Sequence, residues 1–142
     1  MQENRLAIVA ADFHKDLTAE MVGYAKDEVA AAPAAFAYDI RVAGSYETPL
    51  VAATLLRRAD VDAVVVLGYI EKGETLHGEV MGHAVFSALI KLQLKHQKPV
   101  GLGIIGPGAT AAQAAARAEP TARGAVRATL RSLAALQALK SE

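Results

Sequence analysis

Five consecutive residues, Gly73-Glu74-Thr75-Leu76-His77, put a glycine, a carboxylate, a hydroxyl and an imidazole at the start of an apolar-striped segment. Free backbone N–H groups and the positive potential of a helix start suit such a stretch to holding a phosphate. The same residues also make a plain helix entry, with Thr75 as its N-cap and Gly73 as a turn residue. His77 falls in the first helical turn, where the positive end of a helix favours the neutral imidazole that can accept a proton. A solitary histidine at that place is also commonly structural or solvated.

Three further groups belong to the same kind of inventory. Phe13 stands between Asp12 and His14, and is either a hydrophobic staple or a stacking platform for a flat ring. Gly44-Ser45-Tyr46-Glu47 offers backbone donors and a carboxylate, and Glu47 is equally placed to cap the helix that begins at Pro49. Arg117 and Arg123 lie in an alanine-rich stretch, as a solvated helix face or as a clamp on an anion. The four histidines, His14, His77, His83 and His96, show no metal-ligand spacing, so no metal site is expected.

Each group follows a short apolar run that must position it. Residues 6–10 are continuously apolar, as in a strand buried on both faces. Leu17, Met21, Tyr24, Ala25 and Val29 recur at helical steps, and Pro33 closes that segment. Residues 35–42 alternate as a second strand, and Pro49 opens a helix reaching about Ala59. Residues 61–67 are a β-branched third strand, 68–76 a loop, and 76–95 a helix striped by Val80, Met81, Ala84, Val85, Ala88, Leu89 and Leu92. A fourth strand is predicted over 99–105, followed by the breaker Gly106-Pro107-Gly108. Residues 110–139 read as helix, interrupted near Glu119-Pro120. Strand–helix repetition predicts a three-layer α/β/α sandwich around a four-stranded parallel sheet, with residues 1–142 as a single domain. Ligands of such sheets gather beyond the carboxyl ends of the strands, which is where all four groups lie.

Composition narrows the function classes. The chain has 142 residues, 53% hydrophobic and 21% charged, with 15 Lys+Arg against 15 Asp+Glu. Zero net charge removes the field a nucleic-acid binder uses to collect phosphates. The absence of cysteine excludes disulfides, thiolate zinc sites and cysteine nucleophiles. Apolar runs such as 63–67 fall far short of the roughly 18 residues of a membrane span, and the start of the chain is polar, so a cytoplasmic protein is expected. Residues 1–80 hold 13 acidic and 7 basic side chains, whereas 81–142 hold 2 and 8. Either the last helices are simply basic, or copies of the chain meet with opposite charges facing, or an anionic ligand sits near the basic half.

Aromatic, carboxylate loop, phosphate-like loop with histidine, then arginine pair, each after its own strand, is an order with a precedent. Through Asp12-Phe13-His14-Lys15-Asp16-Leu17-Thr18, Gly44-Ser45-Tyr46-Glu47-Thr48-Pro49-Leu50, residues 67–77, and 98–108 with Gln113 and Arg117, the chain resembles the lumazine synthase family from residue 6 to about 136. Gly73-Glu74-Thr75-Leu76-His77 and Gly106-Pro107-Gly108 look most like the archaeal form. The resemblance implies a flavodoxin-like fold and a reaction without metal or organic cofactor. In that reaction 5-amino-6-(D-ribitylamino)uracil condenses with 3,4-dihydroxy-2-butanone 4-phosphate to 6,7-dimethyl-8-ribityllumazine, phosphate and water. This is the penultimate step of riboflavin biosynthesis. By motif position Phe13 would stack on the uracil ring. Glu47 would hold ribityl hydroxyls, with backbone contacts from Ser45 and Tyr46. Tyr69, Ile70, Glu71 and Leu102 would line the substrate site. Gly73, Glu74, Thr75, Arg117 and Arg123 would hold the phosphate, and His77 would transfer protons. The family completes its pocket with a neighbouring subunit, in a pentamer that sometimes builds a sixty-subunit shell. Tyr69 takes a position usually held by a small residue, Glu71 an aliphatic one, and His14 replaces a common Asn. Tyr69 and Glu71 support a second reading, a non-catalytic flavin- or lumazine-binding or shell-forming homologue. A third, an archaeal-type riboflavin synthase on the same architecture, needs no phosphate grip, and the Gly73-Glu74-Thr75 loop with Arg117 argues against it.

Overall fold

Strands that are apolar on both faces cannot show one of them to water, and they take the middle of the sheet. In the computed structural model, which describes residues 3–141, β1 (Asn4–Ala11) and β3 (Ala63–Glu71) are these central strands, buried along nearly their whole length. β2 (Ala34–Val42) alternates half-buried and exposed residues and forms one edge, and β4 (Val100–Ala109) forms the other. The order is β2-β1-β3-β4 with every pairing parallel, the layout of a flavodoxin-like sandwich. Helices α1 (Lys15–Val29) and α4 (Ala111–Lys140) cover one face, and α2 (Thr48–Leu56) and α3 (His77–His96) the other.

Period-two alternation decides which helices each strand residue meets. Ala63, Val65, Leu67 and Tyr69 point into the layer under α1 and α4, and Val64, Val66 and Ile70 into the layer under α2 and α3. Glycines let α4 approach β4. A Cβ at Gly101 would collide with the Thr129 hydroxyl and stand 2.9 Å from the Ala125 carbonyl oxygen. One at Gly103 would stand 3.1 Å from Ala125 Cβ of α4 and 2.6 Å from Leu67 Cδ2 of β3.

The structure redraws several expected boundaries. β3 continues through Gly68, Tyr69 and Ile70 to Glu71, where residues 68–76 read as loop. β4 likewise runs through the glycine-proline breaker, because Gly106 and Gly108 adopt φ of 91° and 93°, open to glycine alone at little cost, and Ala109 regains pairing with Glu71. α2 ends at Leu56, short of Ala59. α4 is uninterrupted: Pro120 lies inside it, exposed, where water can serve the carbonyl one turn earlier that loses its N–H partner. No helix of the described residues is long and apolar enough to cross a membrane.

The connection from β1 to β2 runs toward one edge and that from β3 to β4 toward the other. The chain therefore leaves β1 and β3, side by side, toward opposite faces and opens a crevice between their carboxyl ends.

Candidate active site

Segments following β1, β2 and β3 meet in that crevice. They enclose a cavity of about 440 Å³ lined by Phe13, His14, Gly44, Ser45, Tyr46, Glu47, Tyr69, Ile70, Glu71, Gly73, Thr75, His77, Gly78 and Met81. Residues as far apart in sequence as Phe13 and Met81 thus line one cavity.

The first wall is aromatic. Thr18 donates its hydroxyl to the Ala11 carbonyl at 2.8 Å, fixing the exit of β1, and a single turn, Asp12–His14, carries Phe13 outward. Phe13 is 79% exposed, which removes the staple reading, since a staple buries its ring against the helix. Its ring meets His14 edge-on at 5.1 Å, and His14 lies on Tyr69 at 4.5 Å.

The second wall comes from the turn Ser45–Glu47. The Glu47 N–H donates to the Gly44 carbonyl at 3.2 Å, and the Thr48 hydroxyl to the Ser45 carbonyl at 2.7 Å. Glu47 stands at the N-cap of α2, yet its side chain caps nothing. Its carboxylate lies instead where a Cβ on Gly44 would come within 3.2 Å of Oε1. Gly68 admits this turn to the sheet: a Cβ there would stand 3.2 Å from Ala11 Cβ and 3.6 Å from Ser45 Oγ.

The third wall is the loop before α3. Lys72 donates its backbone N–H to the Ala109 carbonyl at 3.0 Å, and residues 72–77 are exposed. The N-cap of α3 is Leu76, with no side-chain bond of its own, but the His77 N–H reaches back to the Thr75 hydroxyl at 3.3 Å. Thr75 therefore acts as a helix-start partner and cavity residue together. His77 is the first residue of α3, and its ring lies 6.3 Å from that of Tyr46, steeply inclined to it. Tyr69 is buried and donates its hydroxyl to the Ala109 carbonyl at 2.8 Å, so its polar tip is turned to β4 rather than to the open cleft. Burial, and then the Glu71 carboxylate, push that phenol above its ordinary range.

Four of the expected residues lie elsewhere in the chain. Glu74 borders an adjoining depression of about 220 Å³ with Lys72, Leu76, Glu79 and Pro107. Leu102 sits on the outer edge strand, in a groove shared with Pro120 and Thr121. Arg117 is exposed in the second turn of α4 and, among the described residues, makes no ion pair. Arg123 is engaged: it donates to Glu119 at 2.8 Å, Asp27 at 3.2 Å and Glu28 at 3.3 Å, with its guanidinium 5.5 Å from the centre of the Tyr24 ring. These carboxylates, Glu119 foremost, hold its pKa above the ordinary arginine value.

Gly78 and Met81 line the cleft, although Met81 reads in the sequence only as part of the apolar helix stripe and Gly78 carries no site signal there. Met81 follows His77 by one helical turn, a spacing that places both on one face. At Gly78 a Cβ would stand 3.2 Å from the Glu71 carbonyl oxygen, a close approach no local pattern reveals.

Comparison with known proteins places the chain in a family. Residues 3–139 match the family model described as 6,7-dimethyl-8-ribityllumazine synthase. The chain belongs to the lumazine synthase family. A Staphylothermus marinus protein of that name is 44% identical over 124 residues, 87% of this chain and 83% of that protein. A Methanocaldococcus jannaschii lumazine synthase is 38% identical over 95% of both chains, and a Methanopyrus kandleri one 37% identical over the full length of both. The Methanopyrus kandleri match covers the whole chain, strands and loops together.

Proposed function

We propose that the protein is a lumazine synthase, condensing 5-amino-6-(D-ribitylamino)uracil with 3,4-dihydroxy-2-butanone 4-phosphate to 6,7-dimethyl-8-ribityllumazine, phosphate and water in riboflavin biosynthesis. The observation that carries this reading is the convergence of Phe13, Glu47, Thr75 and His77 on one cleft. The exposed Phe13 ring offers a stacking face to the uracil, and Glu47 accepts hydrogen bonds from ribityl hydroxyls, with the Ser45 and Tyr46 backbone beside it. Ile70 and Met81 supply apolar contacts, and Tyr69 and Glu71 close the ring end. Gly73, Thr75 and the Glu74 backbone at the start of α3 receive the phosphate.

The amine that attacks the ketone loses a proton, and the carbinolamine then loses water. Removal of a proton from carbon expels phosphate, and ring closure needs a further transfer. The His77 imidazole serves these steps as base and then acid. Arg117 and the helix start stabilise charge gathering on the departing phosphate. Alignment of two small reactants in one cleft replaces a bimolecular encounter.

Arg117 and Leu102 reach a cleft of this kind from a neighbouring copy, and the proposal includes a pentamer or a multiple of it, with Arg123 as a further basic group near that junction. Exposed Leu50, Leu76, Val80, Ile90 and Leu94 give the chain apolar surface to bury between copies. Purified protein given both precursors should develop lumazine absorbance, and light scattering should give a mass that is a multiple of the pentamer. Riboflavin formed from lumazine alone, or riboflavin binding without any lumazine formation, overturns the reading in favour of the two other classes.

A further inference from the structure

Tyr69 joins two halves of the cleft that the sequence keeps apart. Alternation along β3 brings it out under the turn Asp12–His14, which follows the neighbouring strand β1. There His14 lies on the phenol at 4.5 Å and Phe13 meets His14 at 5.1 Å, so three rings run from the cleft floor to its exposed rim. At its other end the phenol donates to the Ala109 carbonyl at 2.8 Å. That carbonyl also accepts the Lys72 N–H at 3.0 Å, one residue before Gly73. Both lone pairs of a buried carbonyl at the end of β4 are thereby used, one by the ring wall and one by the first residue of the anion loop.

We propose that Tyr69 is a positioning residue of the condensation, its ring backing the aromatic wall through His14 and its hydroxyl setting, through Ala109, where the chain enters Gly73-Glu74-Thr75. The inference rests on the function given above. A carbonyl held by two donors cannot turn toward either. With the phenol hydroxyl gone, the peptide after Ala109 is free to follow Lys72, and the anion loop loses its fixed height. The ring stack, in contrast, depends on shape and not on that hydrogen bond.

Two substitutions at one contact separate these roles. Tyr69→Phe keeps the ring and removes the hydroxyl; His14→Asn removes the middle ring and keeps the hydroxyl. Tyr69→Phe is expected to raise the KM for butanone phosphate, and the Kd for inorganic phosphate, by roughly twofold to tenfold, the worth of one neutral hydrogen bond. The Kd for riboflavin, a flat-ring probe, should move less than about twofold in that variant, and His14→Asn should show the reverse split. Fluorescence quenching reads riboflavin binding and phosphorus NMR line width reads phosphate binding, both without turnover. A wild type that binds both probes and makes no lumazine defeats the functional reading while these two measurements still decide the role of Tyr69. Equal weakening of both probes in both variants, in step with a lower Tm, overturns the inference and leaves Tyr69 a brace, and so does an unchanged phosphate Kd in Tyr69→Phe.

Discussion

The cleft and the opposite end of the sheet treat charge in contrary ways. At the amino ends of the strands Arg5 pairs with Asp62, and Arg58 and the Tyr38 hydroxyl both bind Asp60. Beside them Lys98 donates to the carbonyls of Leu56 at 2.9 Å and Arg58 at 3.0 Å. Beside the cleft Arg41 pairs with Asp12 at 3.6 Å, but Glu47, Glu71 and His77, which line it, make no ion pair among the described residues. A group already held by a partner contributes to rigidity. One left in water keeps its capacity for a ligand and loses its hydration only when the ligand replaces it. The division teaches where to look for function on a chain whose net charge is zero.

Substitutions in the cleft should therefore damage turnover more than stability. His77→Ala is expected to lower turnover about 10²-fold, the usual loss for an acid–base group, in an absorbance assay of lumazine formation. Unchanged turnover would return His77 to the solvated residues. Arg117→Ala comes next: loss of a charge-assisted contact worth about 1.5–3 kcal/mol should raise the KM for butanone phosphate about tenfold or more, and leave the KM for the uracil substrate nearly unmoved. Arg123→Ala sharpens the contrast. Its guanidinium ties α4 to Asp27 and Glu28 of α1, so a lower Tm is expected, with a much smaller effect on that KM than Arg117→Ala has. If the two arginine variants raise the KM alike, Arg123 is a second phosphate ligand.

The layered sheet was readable because period-two and helical spacing report burial directly. Residues 6–10 and 63–67 read as inner strands, and both are. The ends of β3 and β4 escaped because Gly68, Gly106 and Gly108 look like breaks until the partner strand is known. The missing side chain serves close approach in the first case, and conformational freedom serves positive φ in the others. In the site, Phe13 and Glu47 were each left between a structural and a functional reading. Exposure removes the staple reading of the first and the absence of a capping bond the capping reading of the second, and neither is a property of sequence spacing. Arg123 shows the converse limit, since its carboxylate partners on α1 are about a hundred residues away in the chain and no local pattern connects them.

The smallest expected effect tests the paired end. The Asp60 carboxyl is held down at about 2, first by hydrogen bonds from Arg58 and then from Tyr38, against an ordinary value of 3.8. A carboxylate with a lowered folded-state pKa lends stability that is complete above its unfolded value and disappears as pH falls through the folded one. The contribution of Asp60 should be whole above about pH 4 and fade toward pH 2. Asp60→Asn cannot titrate, so the Tm difference between wild type and variant should be constant near neutrality and shrink across that acid window. Because Asp60 lies at the end of the sheet away from the cleft, lumazine formation at neutral pH should be the same in both proteins. A variant that loses turnover at neutral pH while keeping its Tm would show that charge at the amino ends of the strands reaches the chemistry, and the division between paired groups there and unpaired groups lining the cleft would fall.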